Sequence, residues 1–356
     1  MYSSKFTGIG RYVYELVNHL TKIDTKHDYV LFFNEPEYSQ FIPPNEHVTK
    51  VNASSKHYSV AEQTIFLYKL MKEKLDLMHF THFNAPIFYK RKSVVTIHDL
   101  TLSFFPGNKM RSPLYRMAYK LALSSSVSNA SKIITVSNNT AKDLQKSLEV
   151  DPHKIHVIYE GVNEHFKPAK SVTQDPPYIL YTGVWRSHKN LVSLIKGFQI
   201  LKDKYKEDVQ LVITGREDPH YPEVKRTAEE SGYTNDIIFT GMLPEKELIA
   251  LYQGAHVYTL PSLYEGFGLS PLEAMQCGVP TVVSKTSCLP EICGEENSLF
   301  FDPYDPSDIA EKLHTACVND EVRKKLIENG KEHIKKFSWE KMAHETLEVY
   351  NFLLKH

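Results

Sequence analysis

The sequence predicts an α/β protein made of two doubly wound, Rossmann-like parallel-sheet domains. Three observations predict it. Apolar, strand-like runs alternate with helix-period stretches along all 356 residues, the pattern of parallel strands covered by helices on both faces. The alternation breaks once, over the polar, proline-bearing stretch from Phe166-Lys167-Pro168 to Pro176-Pro177, and then restarts, as expected of a linker. The length suits two domains of ordinary size.

The elements follow in order. Gly10 ends a loop, after which Val13, Leu16, Val17 and Leu20 recur at helical spacing. Tyr29-Val30-Leu31-Phe32-Phe33 reads as a buried strand, as do Leu77-Met78-His79-Phe80 and Val94-Val95-Thr96-Ile97-His98. Residues 110–123 carry a helical pattern. Ile133-Ile134-Thr135-Val136 is a strand ending at Ser137, an N-cap for a helix over 138–147. Ile155-His156-Val157-Ile158-Tyr159 closes the first half. The second half offers strands at Ile179-Leu180-Tyr181, Leu211-Val212-Ile213, Ile237-Ile238-Phe239, Val257-Tyr258-Thr259-Leu260 and Thr281-Val282-Val283, with helices between them, such as 191–204. A last helix pattern covers 338–355. Ligands in such sheets lie at the carboxyl ends of strands, so the expected site is a cleft between the two domains.

Composition narrows the function. Lys+Arg 42 against Asp+Glu 43 leaves no basic field for nucleic acid. Cys277, Cys288, Cys293 and Cys317 match no zinc spacing and read as reduced thiols. Apolar runs are too short to span a bilayer and residues 1–10 do not form a signal peptide, so a cytoplasmic protein is expected.

The most informative block is 261–280, PSLYEGFGLSPLEAMQCGVP. Glu265 and Glu273 stand eight positions apart, separated by Gly266-Phe267-Gly268 and the Ser270-Pro271 start of a helix. Glycines let backbone N–H groups approach an anion, and the helix start adds unpaired donors and a positive dipole end. A carboxylate inside the first turns can accept hydrogen bonds from a ribose diol. Ser270-Pro271-Leu272-Glu273 also reads as a capping box. Glu265 decides for a ligand, because it precedes the cap and serves no helix.

The block resembles the Glu–seven residues–Glu signature of the retaining family 4 glycosyltransferases, whose fold is GT-B, and the resemblance extends over nearly the whole chain. It implies a GT-B arrangement with an acceptor-side domain over 1–167, a nucleotide-sugar donor domain over 168–337, and a C-terminal helix over 338–356 that crosses back to the first domain. Related chains carry an apolar strand just ahead of the loop Thr7-Gly8-Ile9-Gly10-Arg11-Tyr12. The six residues before that loop are not strand-like here. A gapped first sheet is therefore expected, from a late start site or a shortened chain.

The resemblance also distributes roles. Gly10 faces the donor phosphates from the first domain. Arg186 and Lys189, three apart after the Tyr181-Thr182-Gly183 strand end, can converge on one anion and neutralise the departing diphosphate; His188 competes with Arg186 for the second basic position. Gly183, Gly215 and the Gly241-Met242 turn end strands on one edge, where glycine admits a phosphate or a flat ring; Met242 marks the expected base site. Plain strand-end turns are the alternative. His98 is expected at the reacting sugar, although a strand-end histidine also serves as a satisfied structural group. Catalytic roles thus fall to His98, Glu265, Lys189 and Arg186. Donor binding falls to Gly10, Gly183, Gly215, Met242, Gly266, Phe267, Gly268 and Glu273.

No metal site is expected. His79 and His82 are three apart without a convergent third ligand, and no Asp-x-Asp triplet occurs, so protein cations and helix dipoles take the metal's electrostatic role. No cofactor is needed beyond the nucleotide diphospho-sugar. The acceptor is a saccharide or lipid-linked sugar, with GDP-mannose the favoured donor ahead of UDP-glucose. A basic amphipathic stretch, Lys109, Arg111, Arg116 and Lys120 among Met110, Leu114, Met117, Tyr119 and Leu121, with Lys90-Arg91-Lys92 nearby, suits docking on anionic lipid at the inner membrane face; a packed helix with a wet face is the alternative. Two rival functions remain open: a nucleotide-sugar epimerase, which needs no acceptor, and a silent nucleotide-sugar binder, which turns nothing over.

Overall fold

The computed structural model describes residues 8–55, 57, 59–169 and 175–355. Thr7, the six residues before it and part of the expected linker lie outside them. The chain forms two compact units, one of Met1–Gly161 with Ser338–His356 and one of Val162–Phe337.

The first unit holds β1 (Tyr29–Phe33), β2 (Val48–Asn52), β3 (Met78–Phe80), β4 (Ser93–Ile97), β5 (Lys132–Thr135) and β6 (Ile155–Val157). Every pairing is parallel. Among the described residues the strands make two sheets, β1-β2 and β3-β4-β5-β6. β4 is buried at all five positions, which is why it reads as one continuous apolar run. The Ile9–Ile23 helix packs on the Trp339–Lys355 helix. Two further bonds tie that last helix to this unit. Lys92 Nζ donates to the Leu353 carbonyl at 2.7 Å, and the Tyr350 hydroxyl meets His79 Nδ1 at 2.5 Å.

The second unit holds β7 (Tyr178–Thr182), β8 (Gln210–Thr214), β9 (Ile237–Gly241), β10 (Val257–Leu260), β11 (Thr281–Ser284) and β12 (Leu299–Phe301). These form one parallel sheet in the order β12-β11-β10-β7-β8-β9. The chain leaves β7 to build one wing through β8 and β9, then returns beside β7 to build the other. That reversal is the switch point at which doubly wound sheets bind ligands.

The structure moves several sequence boundaries. The 191–204 helix is regular only over Leu191–Ile200 and widens into a π-turn over Leu201–Tyr205. The second unit begins at Val162, not 168, because Phe166, read as linker, is 2% exposed and packs edge-on against Tyr252 with ring centroids 5.2 Å apart. The helix expected after Gly10 begins at Ile9, with Gly8 as its N-cap at φ 69°. Gly10 is therefore a buried helical residue and not the end of a loop. The expected basic patch is also redrawn. Met110 and Tyr119 are core residues, whereas Leu114, Met117 and Leu121 are exposed beside Arg116 and Lys120. Among the described residues no helix is long and apolar enough to cross a membrane.

Candidate functional site

Three strands of the second unit end in glycine side by side. The Gly183 N–H, just past β7, donates to the Thr214 carbonyl at 3.1 Å, and the Gly215 N–H, just past β8, donates to the Gly241 carbonyl of β9 at 2.9 Å. Gly215 sits at φ 124°, and a Cβ there would lie 2.0 Å from the Gly183 carbonyl oxygen. Only glycine permits backbones that close. The result is a carboxyl edge of bare main chain at β7, β8 and β9. Gly241, at φ 70°, turns out of β9 and leaves Met242 68% exposed.

The charged centre lies beside this edge. The Leu263 N–H donates to the His188 carbonyl at 2.7 Å, which draws the loop after β10 onto the loop after β7. Asn190 fixes the same junction, its side-chain amide donating to the carbonyls of Pro261 at 3.2 Å and Pro303 at 2.8 Å. The short helical turn Ser187–Lys189 then aims Lys189 at Glu265. Lys189 Nζ stands 2.5 Å from Glu265 Oε1, and Ser262 Oγ donates to the same oxygen at 2.6 Å. Both charged side chains are largely enclosed, 16% and 14% exposed. The Ser287 hydroxyl clamps the Glu265 main chain, accepting from its N–H at 3.2 Å and donating to its carbonyl at 2.7 Å. Cys288 Sγ donates to the carbonyls of Glu265 and Phe267, each at 3.2 Å. Ser262 and Ser287 were not singled out from the sequence. Ser262 falls three residues before Glu265, a spacing that could have drawn attention to it.

The helix after this bend starts earlier than the sequence suggested. It spans Leu269–Gln276 with Gly268 as N-cap at φ 86° and no side-chain cap. The capping box is not formed. Ser270 is the second helical residue and bonds Tyr258. Glu273 therefore lies too deep in the helix to reach the cap. Its Oε2 accepts from the Tyr252 hydroxyl at 2.9 Å, and Tyr252 in turn meets Thr182 Oγ1 at 2.7 Å. Burial, followed by the Glu273 charge, pushes the Tyr252 hydroxyl well above its usual range, so it stays a donor. Gly266 and Gly268 are part-buried and Phe267 is buried, its ring edge-on to Phe337 at 5.8 Å. Arg186 is exposed and has no ion pair among the described residues, so this structure does not bring it onto one anion with Lys189.

In the first unit His98 follows β4 and is 7% exposed. Both of its ring nitrogens have protein acceptors: Nε2 donates to the Thr81 carbonyl at 3.1 Å, and Nδ1 faces Glu160 Oε1 at 3.4 Å. This is the arrangement of a satisfied structural histidine, and contact with a sugar would require one acceptor to be released. The Tyr12 ring stands edge-on to it at 4.7 Å. Glu160, 5% exposed, is a partner of His98 that the sequence reading did not single out; it lies outside any motif. His79 bonds Tyr350 and Thr96, and His82 bonds Asn84. The two imidazoles thus have separate partners and do not converge.

Comparison with known proteins agrees in both halves. Residues 162–333 match the family model "Glycosyl transferases group 1", and residues 6–166 match "Glycosyltransferase Family 4". The serotype-specific mannosyltransferase WbdA of Escherichia coli is 29% identical over 278 residues, covering 74% of this chain and 34% of that protein. The O-antigen chain mannosyltransferase B of Escherichia coli is 27% identical over 376 residues, covering 98% of this chain and 96% of that protein. The chain thus spans about a third of the first relative and nearly all of the second. Among solved structures, sucrose-phosphate synthase from Thermosynechococcus elongatus superposes with a TM-score of 0.78 at 19% identity, over 98% of this chain and 94% of that one. WaaG, a glycosyltransferase involved in lipopolysaccharide biosynthesis, gives 0.73 at 14% identity, over 97% and 96%. At such identities the likeness speaks for the GT-B fold alone. The two family models together run from residue 6 to residue 333, and the chain belongs to the family 4, group 1 glycosyltransferases.

Proposed function

We propose that this protein is a retaining, metal-independent hexosyltransferase. It moves mannose from a nucleotide diphospho-sugar, GDP-mannose first, to a saccharide or lipid-linked acceptor in polysaccharide assembly. The observation that carries the reading is the enclosed Lys189–Glu265 pair, held by Ser262 at the carboxyl edge of the second sheet. Folding alone gains little from enclosing such a pair, since desolvation offsets most of its attraction. The names of the relatives, two of them mannosyltransferases, favour mannose.

The residues then act as follows. Glu273, already an acceptor for Tyr252, takes the ribose hydroxyls. The Gly266-Phe267-Gly268 bend and the start of the Leu269–Gln276 helix offer N–H groups to the diphosphate. On donor entry Lys189 exchanges one anion for another, from Glu265 to a phosphate oxygen. Ser262 stays on the carboxylate, and Glu265 becomes available to orient the sugar hydroxyls. The cation stabilises the leaving diphosphate as charge builds on it, with Arg186 as the second candidate cation. His98 and Glu160 serve on the acceptor-side unit. The donor phosphate oxygen takes the acceptor proton as the glycosidic bond forms on the face the phosphate leaves.

Transfer from GDP-mannose to a saccharide acceptor in the presence of EDTA, with the product anomer read by NMR, tests the reading. An α-linked product from the α-donor is expected. A β-linked product, or turnover that stops when divalent metal is chelated, overturns it.

A further inference from the structure

A cavity of about 620 Å³ lies between the two sheets of the first unit, with β1 along one wall and β3 with its flanks along the other. Where β3 ends, the cavity is lined by Glu62, Thr81, His82 and Asn84. That end is the carboxyl edge, at which parallel sheets bind ligands. Glu62 is 4% exposed. Its Oε1 accepts from the Asn84 side-chain amide at 2.6 Å, and Nδ1 of the exposed His57 lies 3.3 Å from the same oxygen. Enclosing a carboxylate costs free energy that a neutral amide offsets only in part. The backbone is also unusual here. The helix that ends as Leu67–Lys72 is widened into a π turn over Glu62–Phe66, and such turns recur at functional sites. Gln63 Oε1 accepts from the Ile87 N–H at 2.8 Å. That bond already ties the turn to the loop after β3 without enclosing a charge, so anchoring the loop does not by itself call for Glu62.

The chemistry of the groups orders the protons along Glu62, Asn84 and His82. A carboxylate only accepts, so Asn84 turns its NH2 to Glu62 and its Oδ1 to His82. His82 Nδ1 stands 2.7 Å from that oxygen and must carry the proton of the bond. Burial, followed by the charge on His98, pushes His82 down to about 4, so near neutral pH the ring holds this one proton and its lone pair is on Nε2. Packing fixes the ring as well. It lies against the Phe83 ring with centroids 4.2 Å apart and stacks toward His98 at 6.4 Å, and Phe83 is itself buried edge-on to Tyr119 at 5.2 Å. The neighbouring His98 donates through its Nε2 to Thr81; His82 has the opposite polarity at its own.

We propose that His82 Nε2 accepts a hydrogen bond from a hydroxyl of the acceptor saccharide, and that Glu62 and Asn84 are positioning residues that keep the His82 proton on Nδ1. The saccharide as ligand rests on the transfer reading given above; the proton order along the three side chains does not. The relay makes His82 an acceptor before the ligand arrives, which spares the site a reorganisation on binding. A ring held at so low a basicity orients a hydroxyl without taking its proton, in keeping with loss of that proton to the donor phosphate.

NMR of the histidine ring nitrogens in the full, isotope-labelled chain tests this, with His82 assigned by the signal that His82→Gln removes. At neutral pH the unmodified chain should show His82 neutral with its proton on Nδ1, and methyl α-mannopyranoside should move the Nε2 signal saturably. Glu62→Leu leaves Asn84 able to flip. It should lose the single tautomer and weaken binding of that saccharide by roughly tenfold, the worth of one hydrogen bond. Glu62→Gln, whose amide oxygen still accepts from Asn84, should keep both. A His82 proton on Nε2 or on both nitrogens in the unmodified chain overturns the proposal, as does the absence of a saturable shift, or a Glu62→Leu variant that keeps tautomer and affinity. If Glu62→Leu does not fold, the tautomer and titration of the unmodified chain decide. GDP-mannose turnover is followed in parallel. A saccharide that moves His82 without turnover counts against the transfer reading and leaves the subsite standing, and turnover without a response at His82 overturns the subsite alone.

Discussion

The two sheets of this protein are built on one plan and differ at their centres. In the second unit β7 lies between β8 and β10, and every position of β7 and β10 is buried. In the first unit the equivalent centre is a cavity, and the strand beside it, β1, is only part-buried at four of its five positions. A central strand completes its neighbours' hydrogen bonding and gives their side chains, and those of the helix above, something to pack on. The bare glycine edge and the Lys189–Glu265 pair both stand on the complete sheet. The difference shows which half offers a fully buried sheet centre beneath its glycine edge.

The largest expected effect tests the charged centre of the complete half. Lys189→Ala removes the cation paired with Glu265. Loss of a preorganised charge at a leaving group costs roughly 10²–10³ in kcat. Donor affinity should fall much less, because the glycine bend and Glu273 remain. Steady-state kinetics with the sugar donor separate the two. A variant that loses donor affinity while keeping kcat would make Lys189 a binding residue only.

The next test compares two positive-φ glycines, Gly215 beside the complete sheet's edge and Gly8 at the start of the Ile9–Ile23 helix. Gly215→Ala forces a Cβ to 2.0 Å from the Gly183 carbonyl at a positive φ, and should destabilise the protein by about 3 kcal/mol. Gly8 also has a positive φ, but a Cβ there meets nothing within 4 Å. Gly8→Ala should then cost only the backbone strain of that φ 69°, ψ −125° conformation, about 2 kcal/mol. Urea unfolding measures both. Equal costs would mean that the close main-chain packing at β7 and β8 is not what requires glycine.

Much of this contrast was legible in the residues, and its limits have physical causes. Long, fully buried strands announce themselves, as β4 and β7 do, because burial on both faces leaves a continuous apolar run. β2, with Lys50 and Asn52 among its five residues, and β12, three residues long, lack that signal. The Glu265–Glu273 block stands out in the sequence as an expected ligand site because Glu265 precedes the cap and serves no helix. The start of the helix at Leu269 was not readable, since Ser270-Pro271 offers as good a cap on paper; the αL turn at Gly268 and the pull of Tyr258 on Ser270 decide it. Glu160 was invisible because its partner, His98, is reached through the fold and not through a motif, whereas Ser262 offered only its spacing of three from Glu265. The cavity was foreseeable only as an incomplete strand count, and its walls needed coordinates.

The last comparison concerns acid, and it again separates the halves. In the first unit burial, followed by the charge on His98, pushes His79 down to about 3 and His82 down to about 4. Both rings stay neutral in the folded state near neutral pH, whereas in the unfolded chain they take up protons near their ordinary value of about 6.5. Below that value the unfolded state binds more protons, so stability is full above it and falls as pH drops toward the folded values. Each ring contributes about 1.4 kcal/mol per pH unit in that window. In the second unit burial also lowers His256 and His333, but each is bonded to a backbone carbonyl, of Cys317 and Ile292, which opposes the shift. The first unit should therefore weaken first. The two tryptophans report the halves separately, because Trp185 lies in the second unit and Trp339 in the first. Urea unfolding of Trp185→Phe and Trp339→Phe variants at pH 7.5 and about pH 5 should move the Trp339 signal to lower urea more than the Trp185 signal. His79→Gln should remove part of that movement, and equal shifts of the two signals would assign the acid sensitivity to the whole chain instead of to the half with the open sheet.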